Sequence, residues 1–176
     1  AKEKSWSNSQ VLPRDYKVQQ EIELVIREIG QQTTSRMRHH RQQAGCVSLS
    51  IGFARAGEAD DGRSGFHHSC RIDPTDNAQT ISATLLRLFR QHWEGQSIRN
   101  IGVGLSRLNT SRGLQLDIFQ DPHRQIKDER FDRVIDELRD RFGKTAVIPA
   151  SSLMPGGTML RRAALVGGHN GGNSFD

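Results

Sequence analysis

The sequence predicts an α+β fold: a four-stranded β-α-β-β-α-β sheet with two helices on one face, followed by a C-terminal extension carrying a third helix. Two segments, 46–54 and 98–108, alternate apolar and small residues with period two, the mark of half-buried strands. Two others, within 17–45 and 73–95, repeat apolar residues at helical spacing. Their order along the chain, with a hairpin between the two helices, sets a sheet beneath a helical layer.

The elements follow in turn. Residues 5–12 (SWSNSQVL) form a short polar strand that pairing must stabilise, with Ser5, Ser7 and Ser9 on one face and Pro13 as its stop. From Lys17, the residues Val18, Ile22, Val25, Ile26 and Ile29 mark a long amphipathic helix ending by about Gly45, with Glu21, Glu23 and Glu28 on the opposite side. In 46–54, Val47, Leu49, Ile51 and Phe53 face the core, leaving Cys46, Ser48, Ser50 and Gly52 outward. After a turn-rich connector at 55–64, residues 65–72 (GFHHSCRI) are the return strand, with His67, Ser69 and Arg71 outward.

Asp73, Pro74, Thr75 and Asp76 supply helix-start signals. The second helix then presents Ile81, Leu85, Leu88, Phe89 and His92 or Trp93 to the core, and Gly95 stops it. In 98–108, Ile101, Val103 and Leu105 face inward and Asn100, Gly102, Gly104 and Ser106 outward. A first unit of residues 1–110 is expected, then a connector at 111–125 and a helix with a short strand at 126–153. The helix carries Phe131, Val134, Ile135, Leu138 and Phe142 and stops at Gly143; the strand is expected at 146–149. Residues 154–176 are expected to be a mostly disordered tail.

Composition narrows the function classes. The 176 residues carry a net charge of +5, an isoelectric point near 9.8, 34% hydrophobic residues and a mean hydropathy of −0.64, so an acidic polymer is a natural partner and part of the chain lies outside a core. Apolar runs are too short for a membrane span. Cys46 and Cys70 form no CxxC, which fits a reducing cytoplasm and no disulfide framework. The chain begins at Ala1 inside a polar strand-like stretch, and reads as a piece of something longer.

No catalytic or metal-binding residue is expected. Metal-dependent nucleotidyl transfer needs clustered carboxylates, whereas the acidic residues here scatter along helix surfaces, and Asp60 and Asp61 point in divergent directions without a third ligand. Cys46, His67, His68 and Cys70 could approach one another across paired strands, but their spacing matches no familiar zinc module.

The outward sheet face is more informative. Ser48, Ser50, Gly52, Gly102, Gly104 and Ser106 remove side-chain bulk from two strands, and Arg71, Arg99 and Arg107 add charge. Backbone amides can approach a phosphate only where side chains are small, so the face suits a nucleic-acid backbone. The same composition also suits packing against another domain.

These residues resemble a known family. KSWSNSQVLPRDY, a long helix, VSLSIGFA, GFHHSCRI, a second helix and IRNIGVGLSRL are similar to the little finger domain of Y-family DNA polymerases, and QLDIF, FDRVIDELRDRFGKTAVIPASSL and RRAALVGGH are similar to its bacterial UV-damage-repair branch. The resemblance implies a translesion DNA polymerase, acting in DNA repair in the nucleoid, whose little finger grips duplex or primer-template DNA, with Ser7 and Ser9 at phosphates. The family's catalytic carboxylates and their Mg2+ belong to palm and fingers outside these residues, so the fragment itself is expected to bind and not to polymerise, and to need no cofactor. QLDIF, comprising Gln115, Leu116, Asp117, Ile118 and Phe119, looks like the family's docking peptide for the bacterial sliding clamp; the alternation of Leu114, Leu116 and Ile118 also suits an added edge strand, and the polar flanks favour the clamp reading.

Two rivals remain at this stage. A free-standing RNA- or single-strand-binding module on a ferredoxin-like sheet needs aromatic residues on the open face for base stacking, and the outward positions named above contain none. A protein-interaction domain predicts no salt-dependent DNA binding.

Overall fold

The computed structural model describes residues 4–55, 62–110 and 121–164. Its elements are β1 (Trp6–Tyr16), α1 (Gln19–His39), β2 (Gln42–Phe53), β3 (Gly65–Thr75), α2 (Ala78–His92), β4 (Ile98–Thr110), α3 (Pro122–Phe142), a 3-10 turn (Ala150–Leu153) and α4 (Met159–Ala163). The β-α-β-β-α-β order is as expected. The four strands lie in the order β1-β4-β2-β3, and every neighbouring pair is antiparallel.

The two periodicities meet in one core. Val47, Leu49 and Ile51 of β2 and Ile101, Val103 and Leu105 of β4 are buried beneath Ile22, Val25, Ile26 and Ile29 of α1 and Ile81, Leu85 and Phe89 of α2. Each such side chain contributes about 1.5–3 kcal/mol by leaving water. Both helices therefore cover one sheet face and leave the other open. α2 begins where Asn77 Oδ1 accepts the Thr80 amide at 2.9 Å, which satisfies an otherwise orphaned N–H, and it ends where Trp93 turns extended, two residues before the left-handed Gly95 expected to stop it.

Several boundaries differ from the sequence reading, each because pairing overrules local pattern. β1 runs through Pro13 to Tyr16, since an edge strand has no ladder partner on its outer side for Pro to deprive; the register shifts between Val11 and Tyr16. α1 stops at His39 rather than near Gly45, because Arg41 turns left-handed and Gln42, Gln43 and Ala44 are taken up as partners of Thr110, Asn109 and Leu108. β3 extends to Thr75.

Glu23 and Glu28, expected on the solvent side of α1, are buried. Glu23 receives both Nε and Nη2 of Arg90 at 2.7 Å, and this hydrogen-bonded guanidinium holds its carboxyl below the usual glutamate range. Glu28 lies under the C-terminal segment: its Oε1 accepts the Thr158 amide at 3.1 Å, and burial pushes its pKa up. Residues 154–164, expected to be mostly disordered, are therefore partly packed, with Met159, Thr158 and Arg162 buried and the Tyr16 hydroxyl donating to the Gly156 carbonyl at 2.9 Å. No strand forms at 146–149; the chain there makes turns before Ala150–Leu153. Residues 165–176 and the Asp60–Asp61 pair lie outside the described residues.

α3 ends at Phe142, with Gly143 left-handed, as read from the sequence. Its docking was not legible. It buries none of its residues, and is held by its acidic side: Arg38 donates to Asp136 at 2.8 and 3.1 Å, to Asp132 at 3.2 Å and to the Asp76 carbonyl at 3.0 Å, and the Ser35 hydroxyl donates to Asp136 at 2.9 Å.

Candidate nucleic-acid interface

The open sheet face is built from strand register. Ser7 of β1, Gly104 of β4, Ser48 of β2 and Ser69 of β3 stand in one row across the sheet, and Ser9, Gly102, Ser50 and His67 stand in the next. Ser106, Cys46 and Arg71 continue the pattern at one end, and Asn100, Gly52 and Gly65 at the other. Three strand spacings make this surface roughly 14 Å across. Ser7, Ser9, Ser50, His67, Ser69 and Arg71 are exposed.

The two central glycines keep the face flat. A Cβ on Gly102 would sit 3.3 Å from the Ser50 Cβ and 3.6 Å from the Ser9 Cβ, and one on Gly104 would run into the Ser48 hydroxyl. Ser48 Oγ donates to the Gly104 carbonyl at 3.4 Å, and Ser50 Oγ lies 3.2 Å from His67 Nδ1, so both hydroxyls lie along the sheet while still offering hydrogen-bonding capacity to a ligand. Neighbouring serines and glycines thus expose main-chain groups that bulky side chains would hide.

Charge is uneven over this face. At the Ser106–Cys46–Arg71 end, Lys4, Arg71 and Arg107 line a cleft of about 660 Å³ with Gln42, Gly45 and Asn109. Arg107 is left-handed, at φ 52°, which turns it out of the β4 alternation beside Gly45. A side chain on Gly45 would crowd the Arg107 carbonyl at 3.3 Å. At the opposite end, Arg99 donates to Asp15 at 2.8 Å, so its charge is shared with a carboxylate from β1.

Of the expected residues, Ser7, Ser9, Ser48, Ser50, Gly52, Gly102, Gly104 and Ser106 come together on one face, Arg71 and Arg107 gather at one end of it, and Arg99 lies at the other, tied to Asp15. Lys4 and Asp15 were missed: their neighbours are set by β1 lying beside β4, which local sequence does not announce. The zinc possibility fails on parity. Cys46 and His67 take outward positions, whereas His68 and Cys70 take the other side of β3, where His68 stacks on His92 at 3.5 Å between ring centroids. Partial burial first, then the neighbouring His92, His67 and Arg63, holds the His68 pKa below its usual value. Among the described residues no three His, Cys, Asp or Glu side chains gather as metal ligands. Gln115, Leu116, Asp117, Ile118 and Phe119 lie outside the described residues, so neither reading of that peptide is tested by the geometry. No helix among the described residues is long and apolar enough to cross a membrane.

The fold and this face define an α+β domain with one helical side and one flat, small-residue side that is basic at its rim. The chain belongs to the impB/mucB/samB family, C-terminal domain, which it matches over residues 3–118. Among curated relatives it is 35% identical over 166 residues to the Bacillus subtilis (strain 168) protein UvrX, named for UV-damage repair, and 32% identical over 169 residues to DNA polymerase IV 2 of the same organism. These matches take in 94% and 95% of this chain but only 38% and 39% of those proteins. A solved little finger domain of PolIV, in complex with a beta-clamp processivity factor, is 14% identical with a TM-score of 0.46, covering 66% of this chain and all of that one. The resemblance read from the sequence is thus met at the level of family.

Proposed function

We propose that this chain is the non-catalytic DNA-gripping part of a Y-family DNA polymerase that performs translesion synthesis in DNA repair, in the bacterial cytoplasm at the nucleoid. The observation that carries the reading is the small-residue face of β1, β4, β2 and β3, rimmed by Lys4, Arg71 and Arg107. Phosphate contacts from such a surface hold duplex or primer-template DNA without reading base edges. The parent's polymerisation, and the Mg2+ it uses, are assigned to the family's palm and fingers carboxylates, outside these residues. Gln115, Leu116, Asp117, Ile118 and Phe119 are assigned to docking on the sliding clamp.

A primer-template titration followed by fluorescence anisotropy tests the face. Affinity falls steeply with salt and depends little on sequence, and Arg71→Ala and Arg107→Ala each reduce the salt slope by about one. Arg99→Ala has the smaller effect, because Asp15 already compensates its charge. Salt-independent binding, or strong preference for one sequence, removes the assignment.

Gly102→Leu probes the same surface without touching the core side of β4. Its new side chain rises over Ser50 and Ser9 and holds a phosphate away, so binding drops roughly tenfold, the equivalent of one lost charge-assisted contact. Thermal melting checks the alternative: a large fall in Tm would mean that lost packing, not lost approach, explains the weaker binding.

A further inference from the structure

His67 is the large side chain in the two central rows of the open sheet face, which otherwise hold serine and glycine. It ends the row Ser9–Gly102–Ser50–His67 at the β3 edge, with Gly65 and Ser69 two residues to either side of it on the same face. The ring is exposed, and its Nδ1 lies 3.2 Å from Oγ of Ser50, the residue opposite it on β2. Among the described residues nothing engages its Nε2. The adjoining His68 takes the other side of β3 and stacks on His92, so the two neighbouring histidines serve different layers.

A serine hydroxyl both donates and accepts, so Ser50 suits either charge state of the ring. It donates to Nδ1 of a neutral imidazole, which puts the ring's own proton on Nε2, and it accepts from an imidazolium. Nε2–H is a donor open to a ligand in both states, and only the second adds a charge. The surroundings supply no counter-ion: the row of His67 and the rows on either side of it contain serine, glycine, asparagine and valine but no carboxylate. Further off on this face stands Arg71, with Arg63 ahead of the strand, and on the helical side Arg87 of α2 reaches Cys70 while His92 meets His68. Asp73 lies beyond Arg71 on β3, and Asp15, across the sheet on β1, is engaged by Arg99. We infer that His67 is a further phosphate-contacting residue of the sheet, and that its protonation strengthens the grip on DNA as pH falls through the histidine range. A bound phosphodiester favours the charged ring, so binding takes up a proton. The inference rests on the DNA-binding reading of the sheet.

The test titrates a primer-template hairpin with the full chain by anisotropy, over a salt series at about pH 6 and again at about pH 8. Phosphodiesters stay ionised across this range, so the DNA itself contributes no change. Affinity is roughly five- to tenfold higher at the lower pH, and the slope of log affinity against log salt steepens by up to about one, as a single added phosphate contact requires. His67→Ala abolishes both differences. His67→Gln, which keeps a polar side chain without a titrating charge, abolishes them too, and His67→Arg shows the steeper slope at both pH values. His67 is exposed, so an unchanged melting curve is expected for each variant; if His67→Ala nonetheless melts early, the Gln and Arg variants decide. Equal salt slopes at the two pH values in the unsubstituted chain, or a pH difference that survives His67→Ala and His67→Gln, overturns the inference and leaves the sheet reading intact. Binding that does not respond to salt at either pH overturns both.

Discussion

Glu28→Ala destabilises the domain by about 3 kcal/mol, because it leaves the buried Thr158 amide without its acceptor and empties the space the Glu28 side chain fills under the C-terminal segment. Burial raises the Glu28 pKa above the ordinary 4.5, against the pull of the Thr158 and Met159 amides and of Arg162. A carboxyl with a raised folded-state pKa contributes stability that is fully present below the unfolded value and is lost as pH rises through the folded value. The penalty for Glu28→Ala is therefore greater in mild acid than at neutral pH. Urea unfolding of both proteins at two pH values measures it; an equal penalty at both, or one below 1 kcal/mol, contradicts the buried position of this carboxyl.

Leu116→Ala with Phe119→Ala lowers affinity for the bacterial sliding clamp by on the order of 2 kcal/mol or more, as apolar anchors of docking peptides commonly do, and leaves DNA binding by the sheet unchanged. A clamp pull-down beside calorimetry separates this from an edge-strand role. There the double substitution lowers the melting temperature and has no clamp interaction to lose. The peptide follows β4 and precedes the helix start at Asp121, whose side chain caps the His123 amide at 2.9 Å.

The proposed function, a DNA-facing sheet with a separate clamp peptide, asks for little chemistry in clustered side chains. A grip that must hold many sequences works through backbone contact, which asks for small residues and scattered cations and not for a pocket of matched donors. The stability of the platform comes from the opposite side of the sheet, where Val47, Leu49, Ile51, Ile101, Val103 and Leu105 pack under α1 and α2. Substitutions on the open face can therefore change binding with little effect on folding.

What local pattern alone could determine was the identity of the elements and the face each residue of β2, β3 and β4 takes, because side-chain direction alternates with period two whichever strands are neighbours. That is why Ser48, Ser50, Gly102 and Gly104 were legible as an outward set before any strand was placed beside another. α2 was legible for a similar reason, since its apolar spacing is local, although its cap is Asn77 and not the start signals at 73–76, of which Asp73, Pro74 and Thr75 are taken into β3. Tertiary structure alone decided the strand order, and with it the meeting of Lys4, Arg71 and Arg107 and the pairing of Arg99 with Asp15, since these residues lie on strands far apart in sequence. It also decided that Pro13 could lie within β1, which is an edge strand, and that Glu23 and Glu28 are buried, by Arg90 and by the C-terminal segment respectively. α3 shows the limit most plainly: its apolar spacing reads as a packing face, yet Arg38 draws in Asp132 and Asp136, and the favourable contact of a buried guanidinium with two carboxylates turns the phenylalanines toward solvent.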